Sequence, residues 1–137
     1  KDAHNGVLLH STCIITNKTA PLAERLHTMG EKLDALLHTY KPHAVALERL
    51  YFNKNQRTAM GVAEVRGIVV YLARCHQCRI LEYTPQEVKV AVTGYGKSDK
   101  KQVACMVQKL IPSAQKDALD DEYDAIAIAM TTLARER

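Results

Sequence analysis

The stretch His43-Ala44-Val45-Ala46-Leu47-Glu48, with Arg49-Leu50-Tyr51-Phe52-Asn53-Lys54-Asn55-Gln56 behind it, decides how the rest of the chain is read. Ala44, Val45, Ala46 and Leu47 form an unbroken apolar run directly after the Lys41-Pro42 break. A short run of this kind reads as a strand buried on both faces, as inside a mixed or parallel sheet. It ends on an acid, Glu48, and opens into a loop of two aromatics, two asparagines and a lysine. In open α/β sheets, sites lie beyond the carboxyl ends of the strands, which is where Glu48 falls. Taken alone, Glu48 is better read as a solvated carboxylate at a strand exit. A second acidic cluster, far along the chain, changes that reading.

A length of 137 residues corresponds to one domain able to bury a single core. Hydrophobic residues make up 47% and charged residues 25%, an ordinary globular composition without repeats or low-complexity tracts. No apolar run approaches membrane-spanning length and no signal peptide is visible, so a soluble, cytoplasmic protein is expected. The net charge of +4 is a mild basic excess and no nucleic-acid signature in itself. Its distribution is more telling. Between 89 and 109 stand Lys89, Lys97, Lys100, Lys101 and Lys109 against one acid, Asp99, whereas 117–124 carries five acids and no base. A basic ledge beside an acidic pocket suits a metal-dependent phosphodiester enzyme.

Of the four cysteines, Cys75 and Cys78 have zinc-like spacing, but no second pair lies at matching distance. Free thiols are expected. Upstream of the central strand, 20–40 places Leu22, Leu26, Met29, Leu33, Leu36 and Tyr40 at helical steps, with Pro21 in the first turn and Thr19 as a possible cap. The segment 58–75 reads as a second helix, whose Gly61, Ala63 and Gly67 suit close approach by a protein partner or by another element of the same chain. The segment 79–83 reads as a short strand. Thr84-Pro85-Gln86-Glu87 then supplies cap, first-turn proline and capping-box acid for a third helix. This helix stops at Gly94-Tyr95-Gly96, and Ser98-Asp99 opens a fourth. The lysine-rich turn 94–101 either cradles a phosphate or is a plain exposed turn. Near the amino end, Asn5-Gly6 before the apolar run 7–15 signals a hairpin whose upstream strand is missing, so the sequence reads as an amino-terminally incomplete piece.

The last helix begins Asp120-Asp121-Glu122-Tyr123-Asp124. Acids in a first helical turn suit the helix dipole, which accounts for Asp120 to Glu122. Asp124 shares a face with buried apolar residues and needs a partner or a cation. Asp121 and Asp124 therefore read as a two-carboxylate clamp. Like charges about 4 Å apart repel by about 4 kcal/mol at an effective dielectric near 20, and a divalent cation reverses that sign. Oxygen-only ligands favour Mg²⁺ or Mn²⁺. If Glu48 joins the clamp, the set matches a two-metal phosphodiesterase.

Four blocks together carry a family resemblance: Ala46-Leu47-Glu48-Arg49 with Tyr51-Phe52-Asn53-Lys54-Asn55; Val62-Ala63-Glu64-Val65-Arg66-Gly67; Val88-Lys89 through Gly94-Tyr95-Gly96 to Lys100-Lys101-Gln102-Val103; and Asp121-Glu122-Tyr123-Asp124 with its apolar continuation. In order and spacing they resemble the RuvC family of bacterial Holliday-junction endonucleases. The resemblance implies an RNase H-like mixed sheet flanked by helices, here without its first strands, in a single domain over 1–137. It implies paired, symmetric, Mg²⁺-dependent incision of four-way DNA junctions by a homodimer joined through the 58–75 helix, in recombination and repair alongside a branch-migration helicase. Glu48, Asp121 and Asp124 fall on the metal ligands, with two Mg²⁺ ions expected and Mn²⁺ as a substitute, and Lys89 and Lys100 fall on the catalytic lysines. Tyr51, Phe52, Asn53, Lys54, Asn55, Arg57, Gly94, Gly96, Lys97 and Lys101 fall on the DNA-contacting set. Nothing in the chain matches the family's Gly-Ile-Asp-Pro-Gly type motif, whose aspartate is a further ligand, and Asp2 is no substitute. The expectations therefore include an inactive fragment. The alternatives are a junction-binding module without catalysis and an RNase H-like nuclease acting on RNA.

Overall fold

The computed structural model describes residues 6–49, 56–114 and 117–136. Its elements run α1 (Leu22–Tyr40), β1 (Ala44–Glu48), α2 (Gln56–Cys75), β2 (Arg79–Tyr83), α3 (Pro85–Thr93), α4 (Lys100–Leu110) and α5 (Asp120–Arg135). β1 and β2 form a two-stranded sheet among the described residues. Arg79 N–H donates to His43 C=O (2.9 Å) at one end and Arg49 N–H to Tyr83 C=O (2.8 Å) at the other, so the strands run in the same direction.

The chain gathers into two compact units. One holds α1, α2 and the first halves of both strands; the other holds 6–13, the second halves of the strands and α3, α4 and α5.

In the first unit, α1 packs on α2. Leu37, Ala73 and Cys78 form its buried centre, with Leu33, Val45, Leu72 and Ile80 against them. Burying a leucine such as Leu37 stabilises by roughly 1.5–3 kcal/mol. α1 ends because Lys41 turns left-handed (φ 44°), its N–H bonded to Leu37 C=O, and Pro42 cannot continue a helix. The Cys78 thiol donates to Pro42 C=O at 3.1 Å, and all four cysteines are free. The expected Thr19 cap is not formed: Pro21 takes the N-cap position without a side-chain bond, and Thr19 donates to Asn17 Oδ1 instead. The asparagine two residues away offers a closer acceptor, a local turn that competes with capping. Ala44 to Leu47 are half-buried, not fully enclosed as expected, and β2 is the sole strand paired with β1 among the described residues.

In the second unit, α5 packs on α3 and α4, and these pack on each other. Val88 and Val92 of α3, Val103 and Val107 of α4, and Tyr123, Ile126 and Ala127 of α5 are buried. The expected capping box of α3 is present in full: Thr84 Oγ1 accepts Glu87 N–H and the Glu87 carboxylate accepts Thr84 N–H. Asp99 and Gln102 make the same reciprocal pair at α4, so the one acid of the basic window is engaged in capping. The run 7–15 forms no strand; Val7, Leu9 and Ile15 stay exposed, because the ladder a strand needs has no partner there among the described residues.

Candidate active site

Within the α3–α4–α5 unit lies a cavity of about 250 Å³. Glu48, the exposed last residue of β1, lines it together with Lys89 of α3, Lys100 from the first turn of α4 and Asp124 from the second turn of α5. Val88, Val103, Ala127 and Ile128 supply its apolar lining. Each charged residue reaches this place for a local reason. Glu48 is carried to the strand exit, the capping box fixes where α3 begins and hence the phase of Lys89, and the Asp99 cap does the same for Lys100. Lys100 Nζ stands 3.5 Å from Asp124 Oδ2, with both side chains partly exposed, so the pair alone adds little stability. It matters instead as electrostatics, since it places an ammonium beside the Asp124 carboxylate.

Asp121 does not line this cavity and is exposed on the preceding turn of α5. Among the described residues no three His, Cys, Asp or Glu side chains lie close enough to enclose a metal ion. Glu48 and Asp124 thus offer two hard oxygen donors, a set whose chemistry fits Mg²⁺ or Mn²⁺ but which is short of an enclosing cage. Lys97 and Lys101 are exposed on either side of Lys100, and Gly94 closes α3 with φ 76°, a left-handed geometry that favours glycine. Gly96 passes close to Gln86 and Val90, where an added Cβ would meet Gln86 Nε2 at 3.2 Å. Tyr51, Phe52, Asn53, Lys54 and Asn55 lie outside the described residues, as does the side chain of Arg57.

The structure adds one acid that the dipole argument had explained away. Glu122 is buried and its carboxylate accepts the Ser11 hydroxyl, joining residues 111 apart in sequence. Beside them, desolvation and then the Glu122 and Asp121 carboxylates push the Cys13 thiol above its ordinary value, against a backbone hydrogen bond from Glu122. Residues 11–13 are therefore held against the first turn of α5, beside Glu122 and Asp121. No local pattern announces this contact.

An α/β chain with parallel strands, helices beside them and carboxylates and lysines in one cavity defines a class, and the solved structures identify it as RNase H-like. Thermus thermophilus RuvC, solved in complex with a Holliday junction substrate, superposes with a TM-score of 0.92 at 30% identity, covering 100% of this chain and 83% of that one. The family model for Crossover junction endodeoxyribonuclease RuvC matches residues 1–132. This chain belongs to the RuvC family. It is 44% identical over 127 residues to the protein of that name from Leifsonia xyli subsp. xyli and 42% identical over 120 residues to that from Syntrophomonas wolfei subsp. wolfei, covering 91% and 88% of this chain. It spans 60% and 70% of those relatives' lengths.

Proposed function

We propose that the protein is a structure-selective endodeoxyribonuclease that hydrolyses phosphodiesters in four-way DNA junctions. The observation that carries this reading is the cavity where Glu48 and Asp124 meet Lys89 and Lys100, in a chain of the RuvC family. Glu48 and Asp124, with Asp121 from the preceding turn, would hold Mg²⁺ or Mn²⁺; when bound, such an ion lowers the pKa of a water and offsets charge on the phosphate. Lys89 and Lys100 place ammonium groups beside the phosphate, where they stabilise negative charge that grows as the bond breaks. Val88, Val103, Ala127 and Ile128 keep that part of the wall dry, which strengthens each charge. Lys97 and Lys101, with the amides of Gly94 and Gly96, grip the strand by its phosphates. Tyr51, Phe52, Asn53, Lys54, Asn55 and Arg57 complete the DNA-contacting set in this reading, and 1–137 acts as one domain.

The protein works as a homodimer through α2 and meets a branch-migration helicase in the cytoplasm. Met60 and Tyr71 are exposed on α2, and nothing lies within 4 Å of a Cβ added at Gly61 or Gly67, so these two glycines answer no close approach from the described part of this chain. No described helix is long and apolar enough to cross a membrane.

The test is nicking of a labelled four-way junction and a matched duplex by the protein as encoded, in Mg²⁺ and in chelator. Metal-dependent, paired cuts in the junction alone are expected. Tight junction binding without incision in Mg²⁺ or Mn²⁺ would overturn the nuclease in favour of a binding module, and sedimentation as a monomer at micromolar concentration would overturn the dimer.

A further inference from the structure

We propose that Tyr95 is a DNA-contacting residue whose ring stacks on a base or deoxyribose of the strand that the neighbouring lysines hold by its phosphates. The proposal rests on the junction-nuclease reading and adds to it a contact that is neither ionic nor made by backbone.

Tyr95 stands between Gly94 and Gly96 and is 58% exposed. Its backbone is nonetheless fixed at both polar groups. Its N–H donates to Thr93 Oγ1 at 3.1 Å, and its C=O accepts the Ser98 hydroxyl at 2.6 Å and the Ser98 N–H at 3.2 Å. Ser98 is buried at 2% exposure and also bonds Thr93 Oγ1 at 2.6 Å, so the turn is held from within. An exposed ring on a rigid turn has only two side-chain torsions to lose when a partner arrives, a low ordering cost for a large contact area.

Position and charge select the partner. The turn joins α3, which supplies Lys89 to the cavity, to α4, which supplies Lys100. Exposed Lys97 lies two residues beyond the ring, and exposed Lys101 opens α4 beside Lys100. A protein surface seated here would have to desolvate these ammonium groups, whereas a nucleic-acid strand supplies phosphates for the lysines and flat faces for the ring. Aromatic rings beside a basic track are how sequence-tolerant strand binding is built.

The experiment measures binding of a four-way junction by fluorescence anisotropy, in chelator and at two salt concentrations, with the protein as encoded. Tyr95→Ala is expected to weaken binding about 5- to 150-fold, the factor for one stacked base at about 1–3 kcal/mol, with an unchanged salt slope. Lys97→Ala should instead lower the salt slope by about one unit. Tyr95→Phe should restore binding, because stacking needs the ring and not the hydroxyl. Tyr95→Leu should bind as weakly as Tyr95→Ala with an unchanged melting temperature, separating stacking from bulk and from fold. Wild-type binding with Tyr95→Ala within twofold of it would overturn the stacking alone, as would full binding by Tyr95→Leu. Failure of the wild type to bind any DNA would overturn this proposal and the nuclease reading together.

Discussion

The α3–α4–α5 unit and the α1–α2 unit use their apolar residues differently. The first encloses Val88, Val92, Val103, Val107, Ile111, Tyr123, Ile126 and Ala127, and its charged residues ring a cavity. The second encloses only Leu37, Ala73 and Cys78 among its described hydrophobic residues and leaves Met60, Val62, Val65 and Tyr71 of α2 open. A tightly packed core has low compressibility and holds its side chains in fixed rotamers, so it suits residues whose placement sets the chemistry. A helix with an open apolar face marks a partner surface. In the proposed reading, the difference separates the unit that carries the chemistry from the helix that carries the association.

Asp124→Asn should separate the two most sharply. Removing one carboxylate from the cavity is expected to cost several kcal/mol of transition-state stabilisation, a loss of nicking of at least about a hundredfold, while the sedimentation of the protein stays unchanged. A change of oligomeric state without loss of nicking would break the division. Core packing gives the next largest effect. Val107 is fully buried, and Val107→Ala should lower stability by about 2–3 kcal/mol, whereas Met60→Ala on the open face should stay within about 0.5 kcal/mol in the monomer. Urea midpoints at constant slope check both.

Ser11→Ala leaves the Glu122 carboxylate buried without its hydroxyl partner, at a cost of about 1–3 kcal/mol. If residues 11–13 also steady the aspartates on either side of Glu122, cation affinity measured by Mn²⁺ titration should fall along with the melting temperature. Unchanged affinity would confine the contact to folding.

The smallest effect belongs to Glu87. The Thr84 backbone N–H, then the Arg135 guanidinium and the Thr84 hydroxyl, hold its carboxyl down from 4.5 to about 2. The folded value is the lower one, so the group contributes stability above about 4.5 and loses it as the pH falls toward about 2. Arg135 also lies over the Tyr83 ring, 5.9 Å from its centroid, so Glu87 ties the end of α5 to the start of α3. Glu87→Gln should flatten the melting temperature across that acid window and leave it nearly unchanged at neutral pH. A wild-type acid slope retained by the variant would assign the acid loss to other carboxylates.

The helices and both strands were legible in the sequence, because the interactions that set them span three or four residues. Thr84 finds Glu87 and Asp99 finds Gln102 within one turn, and the apolar steps of three and four located α1, although its buried residue is Leu37, outside that stripe, and Leu22 and Tyr40 at the stripe's ends are exposed. Glu48 at a strand exit, and the acids and lysines as candidate partners, were legible for the same reason. Residue type and local spacing carry that information. The family blocks added the pairing of Glu48 with Asp124 as an expectation.

Tertiary structure decided which charges meet. Glu48, Lys89, Lys100 and Asp124 come from four elements, and their shared cavity depends on how α3, α4 and α5 pack, which no window of sequence contains. Packing also left Asp121 outside the cavity lining, buried Glu122 against Ser11, and left Gly61 and Gly67 without a close neighbour where close approach had been one of two readings. Local hydrogen bonds and periodicity are properties of neighbours along the chain; the cavity is a property of neighbours in space, and only the folded core brings residues 76 positions apart, such as Glu48 and Asp124, to one wall.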